Sequence, residues 1–292
     1  MLIETIAEHI SRATGRPFRP ESHQSLAGGC INASEVLRGN GQRYFVKRNE
    51  AGRVDMFAAE AEGLAEIARS ASVRVPAVIC WGVHADHTYL VLEHLDLWHG
   101  GRQTDTRLGQ QLALMHRTTR PRHGWIRDNT IGSTPQINAM ENDWIRFYRE
   151  HRLRYQLELA AGNGAPRLLE RGERLLDALP AFFTGYQPPA SLLHGDLWSG
   201  NHGALRDGTP VVFDPAVYFG DRETDLAMTE LFGGFGSGFY AAYNEAWPLD
   251  PGYRVRRDLY NLYHVLNHFN LFGGGYSGQA GRMIDTLLAE LH

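Results

Sequence analysis

The stretch HGDLWSGN at residues 194–201, followed by VVFDPA at residues 211–216, decides how the rest of this chain is interpreted. It places Asp196 five positions before Asn201 and a further carboxylate, Asp214, directly after an apolar run. Short apolar runs bounded by Gly, Ser and Asn predict brief strands around a loop between residues 192 and 214. We therefore expect the Asp214 carboxylate to emerge at a sheet edge, beside the loop that carries Asp196 and Asn201.

This spacing is typical of a loop that serves phosphoryl transfer. In such a loop the Asp receives or orients the attacking hydroxyl, and the Asn five positions later binds magnesium. A second metal-holding carboxylate is needed close by, and Asp214 is placed to supply it. A single Asp and Asn pair would arise often by chance, but the full pattern with Asp214 rarely does. The chain is predicted to transfer phosphoryl groups, with Asp196 as the catalytic residue and Asn201 and Asp214 as metal ligands.

Two upstream segments supply the groups that such a reaction needs on the phosphates. Gly28 and Gly29, followed by Cys30, separate two strand-like runs, and glycines let backbone N–H groups approach phosphate oxygens. A plain hairpin turn is the alternative for this loop. Lys47 ends the strand-like run YFVK, and it is the only lysine among 29 basic residues. Its compact ammonium suits two phosphate groups, whereas a solvated surface lysine is the alternative.

A helix predicted over residues 54–70 carries the partner of that lysine. Glu60 follows Phe57 by three positions and precedes Leu64 by four, which puts it on the apolar face. A carboxylate that faces the core needs a partner, and Lys47 is the obvious one. Glu62 is rotated away and is expected to face solvent. The alternative is that both glutamates are surface residues of an Ala-rich helix.

Composition excludes several other classes of protein. The 292 residues are 43% hydrophobic and 21% charged, which fits an ordinary globular chain, and a net charge of −4 argues against nucleic-acid binding. No apolar run reaches the roughly 20 residues of a membrane helix. The chain has no Walker A, HExxH, CxxC or GxSxG signature. Two cysteines, Cys30 and Cys80, form no disulfide framework, so we expect no membrane and a cytoplasmic location.

The predicted fold is α+β with two lobes. Residues 1–95 are expected to form a small antiparallel sheet of about five strands with one helix on it, after an amphipathic helix at the N-terminus. Residues 96–292 are expected to form a larger, mainly helical lobe, with the junction near residues 93–97. The helical periodicity there covers residues 108–118, 142–161, 166–183, 223–232, 255–272 and 278–291.

In the combination of these motifs, the sequence resembles the fructosamine kinase (ketosamine-3-kinase) family. That family lies within the larger protein-kinase-like group of folds, which includes aminoglycoside and choline kinases. The resemblance rests on AGGCI at 27–31, LHGDLWSGN at 193–201, DPA at 214–216 and LFGGF at 231–235, and extends to Asp143-Trp144 and to NHF at 267–269. It covers nearly the whole chain.

The resemblance implies roles for the residues in that pattern. The implied cofactors are ATP and Mg²⁺, with Lys47 expected on the nucleotide phosphates and paired to Glu60. The loop of Gly28, Gly29 and Cys30 would cover those phosphates. The interlobe hinge, with backbone groups for adenine, would be Glu93, His94 and Leu95. Asp225 would brace the backbone of the catalytic loop.

The acceptor implied by the resemblance is a ketosamine, either a small molecule or linked to a protein. Phosphorylation at its 3-position gives a labile product that frees the amine, which implies a role in deglycation. A site that binds a polyol attached to an amine needs stacking surfaces and hydrogen-bonding groups. The residues proposed for this task are Trp198, Trp144, His268 and Tyr276, and packing in the core or at the rim is the alternative for each.

Other functions and states remain open at this point. A kinase for an aminoglycoside, choline or another small alcohol is the alternative enzyme, and a non-catalytic nucleotide-binding module is the alternative from another class. DPA stands where protein kinases have DFG, and no APE follows, which opposes a protein kinase. We expect a monomer. Cys30, a thiol among backbone amides near Lys47, could instead be oxidised or link two chains.

Overall fold

A five-stranded antiparallel sheet forms the first part of the fold in this computed structural model, which describes residues 2–26 and 31–291. Its strands are Ser22–Leu26 (β1), Ala33–Gly39 (β2), Gln42–Glu50 (β3), Val78–His84 (β4) and His87–Glu93 (β5), in the spatial order β1-β2-β3-β5-β4. Asn40 and Gly41 join β2 to β3 with φ of 52° and 70°, the left-handed pair that a two-residue hairpin requires. This register places Lys47 on the central strand β3, opposite Ser34 of β2 and Leu90 of β5.

Two helices cover the two faces of this sheet, where the sequence predicted a single helix on it. The helix Leu2–Thr14 (α1) buries Ile6 and Ile10 against one face, and the helix Val54–Arg69 (α2) buries Phe57 against the other. Strand β5 serves both, because successive side chains alternate between faces. The N-terminal amphipathic segment is therefore part of this layer. The loop of Gly28, Gly29 and Cys30 lies outside the described residues.

The remainder of the chain is mainly helical, as predicted. Its helices are Arg102–His116 (α3), Trp144–Tyr148 (α4), Tyr155–Gly162 (α5), Pro166–Ala178 (α6), Glu223–Leu231 (α7), Ser237–Ala246 (α8), Tyr253–Phe272 (α9) and Tyr276–Ala289 (α10). Its short strands are Thr119–Arg120 (β6), Asn129–Ile131 (β7), Thr134–Gln136 (β8), Ala190–Leu193 (β9), His202–Ala204 (β10), Pro210–Val212 (β11) and Tyr218–Gly220 (β12). The expected brief strands between residues 192 and 214 are confirmed, whereas α8 and the β7–β8 hairpin were not anticipated.

One helix predicted as continuous contains an irregular turn. A π-helical turn at Arg149–Arg154 joins α4 to α5 within the segment predicted as 142–161. The Asp143 side chain caps α4 by accepting a hydrogen bond from Arg146 N at 2.6 Å. Within the described part of the chain, no helix combines the length and apolar character that crossing a bilayer requires. The boundary between lobes at residues 95 and 96 stays a prediction.

Candidate active site

The loop after β9 is locked onto the segment that begins with Asp214. Gly195 has a φ of +83°, and a Cβ built on it would lie 2.1 Å from the carbonyl oxygen of Ala216. Only glycine permits this conformation and this approach without strain. Ala216 N donates to His194 O at 2.8 Å, so the two segments are joined by a backbone hydrogen bond. Asp196 and Asp214 are thereby held in one site.

His194 and Asp225 fix the backbone of this loop through hydrogen bonds. Asp225 accepts hydrogen bonds from His194 N at 2.7 Å and from Gly195 N at 2.8 Å, which confirms the predicted brace. Burial lowers the pKa of His194, and the neutral ring spans from the Asp196 N–H at 3.3 Å to Phe213 O at 3.0 Å. The backbone N–H groups of His194, Gly195 and Asp196 therefore all have acceptors where the loop enters the site.

His116 extends this brace. Its Nε2 lies 3.1 Å from Asp225 Oδ2, and its Nδ1 lies 2.8 Å from the hydroxyl of Tyr243. Burial alone would raise the pKa of Asp225, but the hydrogen bonds that it shares with His116 and with Gly195 N outweigh this effect and lower that pKa. Asp225 therefore stays a carboxylate, which is the form that accepts the two loop N–H groups. Sequence reasoning did not identify His116, because nothing in helix α3 marks this contact.

Asp196 and Asn201 are brought together by the turn between them. Asn201 Nδ2 donates to Asp196 O at 2.8 Å and to Asp196 Oδ2 at 3.1 Å. Burial and the nearby charge of Asp214 raise the pKa of Asp196 to about 7, although the Asn201 hydrogen bond opposes this shift. A carboxyl group with a pKa near neutrality is suited to accept a proton from an attacking hydroxyl.

Lys47 contacts two carboxylates rather than one. Its Nζ lies 2.6 Å from Glu60 Oε1, as predicted from the helical pattern, and also 2.6 Å from Asp214 Oδ1. Lys47 is only 4% exposed, and burial alone would lower its pKa, but the two carboxylates outweigh that effect and raise it. The ammonium is therefore charged, and among the residues that the structure describes only these two carboxylates accept from it, which leaves one of its three N–H donors for a further ligand.

A cavity of about 760 Å³ contains these groups together. Lys47, Glu60, Asp196, Asn201 and Asp214 all line it. Such a volume is in the range of pockets that bind small ligands. The charged groups that sequence reasoning assigned to phosphates, metal and catalysis thus face a single space.

An aromatic wall closes the side of the cavity formed by helices α9 and α10. His268 lies at its centre, with ring centroids 4.7 Å from Phe232, 5.3 Å from Tyr276 and 5.6 Å from Phe272. Trp198, which is 38% exposed, lines the same cavity. Flat apolar faces with a few polar edges are suited to stacking on a sugar ring or chain.

Comparison with known proteins identifies the family to which this chain belongs. A sequence model described as fructosamine kinase matches residues 2–290. The chain belongs to the fructosamine kinase family.

Individual relatives agree with this assignment. A "probable ketoamine kinase" of Synechocystis sp. is 48% identical over 98% of this chain and 96% of its own length. A chloroplastic protein-ribulosamine 3-kinase of Oryza sativa subsp. indica is 41% identical over 95% of this chain and 82% of its own. A solved protein of Haemophilus somnus, described as a candidate fructosamine-3-kinase, superposes with a TM-score of 0.89 at 29% identity, covering 97% of this chain and 96% of that one. The predicted protein-kinase-like α+β fold is confirmed.

Trp144 was predicted to contact the acceptor, and the structure places it in the core instead. It is 3% exposed, its Nε1 donates to the hydroxyl of Tyr260 at 3.1 Å, and its ring stacks on Phe147. It does not line the cavity. Trp144 is buried because its ring packs among Phe147, Tyr148 and Tyr260. Trp198, His268 and Tyr276 do line the cavity, and their role as acceptor residues stays a prediction.

The hinge residues Glu93, His94 and Leu95 do not line this cavity either. The Glu93 carboxylate is taken by Arg74 Nη2 at 2.6 Å, and Glu93 N donates to Ala77 O at 2.8 Å. His94 Nδ1 lies 3.8 Å from Asp96 Oδ1. The prediction that backbone groups here bind adenine is therefore untested by the geometry and stays a prediction.

Several cavity residues of this family member were missed from the sequence. Thr130 and Gly132 come from the β7–β8 hairpin, and His264, Asn267 and Leu271 come from α9. Only the NHF word at 267–269 gave a signal, since Asn267 and His268 belong to it. Glu62 faces solvent as expected, with its side chain 43% exposed, but the sequence gave no sign that its Oε1 accepts a hydrogen bond from Arg127 Nη1 at 2.9 Å.

Proposed function

We propose that this protein transfers the γ-phosphoryl group of ATP to the 3-hydroxyl of a ketosamine, carried either by a small amine or by a protein. The observation that carries the proposal is the cavity in which Lys47, held between Glu60 and Asp214 at 2.6 Å from each, faces the same space as Asp196. Membership of the fructosamine kinase family, and relatives named ketoamine kinase and ribulosamine 3-kinase, support the acceptor.

In this proposal each residue acts on a defined atom. Lys47 places its free N–H donor on the nucleotide phosphates. Asp196 orients the acceptor hydroxyl and takes its proton as the new O–P bond forms and the bond from the γ-phosphorus to the bridging oxygen breaks. ADP leaves with that electron pair. Trp198 and His268 border the acceptor through their ring faces.

The oxygens of Asn201 and Asp214 fit a magnesium ion. The Asn201 amide nitrogen is committed to Asp196, and in the described part of the chain no hydrogen bond occupies its Oδ1. Asp214 commits one oxygen to Lys47, and its side chain is 45% exposed. Amide and carboxylate oxygens are the ligands that Mg²⁺ prefers, completed by water and substrate phosphates. When bound, the ion would neutralise charge on the transferring phosphates.

A panel of acceptors with defined sugar lengths tests the proposal. The protein would be assayed for ADP release with MgATP and with erythrulosyl, ribulosyl and fructosyl derivatives of a blocked lysine, alongside choline and an aminoglycoside. We expect turnover that depends on a ketosamine, and a ³¹P signal at the 3-position followed by release of the free amine. Asp196→Ala protein is the control for contaminating kinases.

The alternatives give different results in the same panel. Turnover with choline or an aminoglycoside, together with none on every ketosamine, would refute the proposed acceptor. Nucleotide binding without turnover on any alcohol would identify a non-catalytic module and refute the proposed reaction.

A further inference from the structure

Helix α2 carries Glu60. Two arginines that lie outside the five-stranded sheet form ion pairs with the same helix. Arg127 Nη1 donates to Glu62 Oε1 at 2.9 Å, and Arg127 Nη2 lies 3.4 Å from Asp55 Oδ1. One turn along α2, Arg120 Nη2 donates to Glu66 Oε1 at 2.8 Å. Glu62 and Glu66 are four positions apart and therefore share a helix face. Both arginines lie between α3 and β7, in the part of the chain that follows the sheet.

Close apolar packing accompanies these ion pairs. A Cβ built on Gly63 would lie 3.1 Å from Val217 Cγ2 and 3.7 Å from Pro215 Cγ. Pro215 and Val217 belong to the segment that begins with Asp214. Helix α2 therefore lies directly on the segment that supplies the second carboxylate partner of Lys47.

The backbone at Arg127 is held by a buried polar network. Its carbonyl oxygen accepts a hydrogen bond from Asn138 Nδ2 at 3.1 Å, and the adjacent Asp128 Oδ1 accepts one from Asn138 N at 2.7 Å. Asn138 is 1% exposed, and its Oδ1 accepts from the buried Arg152 at 2.8 Å. These hydrogen bonds restrain the backbone from which the Arg127 guanidinium reaches α2.

From these contacts we propose that Arg127 and Arg120 are positioning residues that hold α2 in place, so that Glu60 contacts Lys47 before any nucleotide binds. Glu60 lies two positions before Glu62, so a shift of α2 by an ångström or two would break the 2.6 Å contact between Glu60 and Lys47. Lys47 would then pair with Asp214 alone. The position of α2 is thus set by ion pairs with a separate part of the fold. Nucleotide binding is not needed to bring Glu60 into contact with Lys47.

The single lysine of the chain gives a direct readout that needs no activity. Lys47 is 4% exposed, so acetylation by a succinimidyl ester, followed by peptide mass spectrometry, reports how often its ion pairs open. Arg127→Met removes the guanidinium, keeps an apolar stem and adds no second amine. Partly exposed ion pairs are weak, so we expect labelling of Lys47 to be about two- to fivefold faster than in the native protein. Removing Arg120 as well should increase it further.

The chain offers a matched control. Arg154 Nη1 lies 2.8 Å from Glu173 Oε1, and the two side chains are 26% and 43% exposed, against 27% and 43% for Arg127 and Glu62. Arg154→Met should lower thermal stability to a similar extent without changing the labelling rate. In the double variant Arg127→Met with Glu62→Gln, Lys47 should be labelled no faster than in Arg127→Met alone, because the two substitutions remove the same contact.

A kinetic arm rests on the proposed function, whereas the labelling arm does not. In Arg127→Met the KM for ATP should rise about two- to fivefold while the KM for the acceptor is unchanged. Equal labelling rates in Arg127→Met and Arg154→Met, with both variants folded by circular dichroism, would overturn the inference. An inactive native protein would remove the proposed function, and the labelling comparison would still decide the role of Arg127.

Discussion

Replacing Gly195 by alanine tests the geometry of the catalytic loop more sharply than replacing any charged residue. The substitution adds one methyl group and changes no charge. In the native loop that methyl group would lie 2.1 Å from Ala216 O and 2.8 Å from Ala216 C. These are backbone atoms, so no side-chain rotation relieves the clash. The loop or the segment after Asp214 must therefore move by about 1 Å to restore ordinary contact distances.

The magnitude follows from two separate costs. Gly195 has a φ of +83°, and an alanine in this left-handed region costs about 1–2 kcal/mol. Separating the two segments also weakens the hydrogen bond from Ala216 N to His194 O, 2.8 Å in the native structure, which contributes about 1 kcal/mol. We expect a total of about 2–3 kcal/mol. The shift carries Asp196 with it, and a displacement of about 1 Å at a catalytic group costs roughly 100-fold in rate.

Gly185→Ala is the matched control for this experiment. Gly185 has a φ of +75°, and a Cβ built on it meets no atom within 4 Å, so it carries the left-handed cost alone. Melting temperature and kcat would be measured for both variants, with ADP release as the assay. Gly185→Ala should lose about 1–2 kcal/mol and keep its kcat. If Gly195→Ala lost no more stability than Gly185→Ala and kept kcat within threefold of the native value, the reasoning would be refuted.

Three further changes test other parts of the site and the core. Asp196→Ala should abolish turnover while calorimetry still detects nucleotide binding, and loss of binding by a folded protein would contradict its role as base. Lys47→Arg should lose most activity with charge retained, because a planar guanidinium does not fit between two carboxylates at 2.6 Å, and near-native kcat would exclude this. Burial lowers the pKa of His123 to about 4 and of His264 to about 3. Unfolding lets each take up a proton below about pH 6.5, so stability should fall from pH 7 to pH 5 by about 2 kcal/mol per histidine. Urea midpoints at both pH values check this, and His123→Gln should show a smaller fall.

The sequence predicted those parts of the site whose position is set locally. Asp196 and Asn201 are separated by only four residues, and Asp214 follows the strand β11, which pairs with the strand β10 that begins directly after Asn201. Glu60 was found because a helical period fixes which residues share the face with Phe57. These inferences needed only spacing and the burial preferences of side chains.

Contacts that depend on how distant segments pack were not predictable in this way. Glu62 has the solvent-facing position that its helical period indicates, but Arg127, 65 positions later, lies across from it. Trp144 and Trp198 look equally suitable as aromatic ligands in the sequence, and only the packing places one of them in the core. Pairings of this kind are fixed by topology and by buried networks, neither of which leaves a period in the sequence.

The distribution of cations in this chain follows from their geometry. The buried arginines occupy places where several acceptors surround a planar group: Arg256 contacts both oxygens of Glu223 and also Asp250, and Arg152 bonds to a backbone carbonyl and to Asn138. A guanidinium suits such forks because its five donors are spread in one plane. Between Glu60 and Asp214 the acceptors converge on one point at 2.6 Å each, and a further donor must face a cavity. Only an ammonium meets that requirement, so a chain that uses arginine everywhere else retains its one lysine at this position.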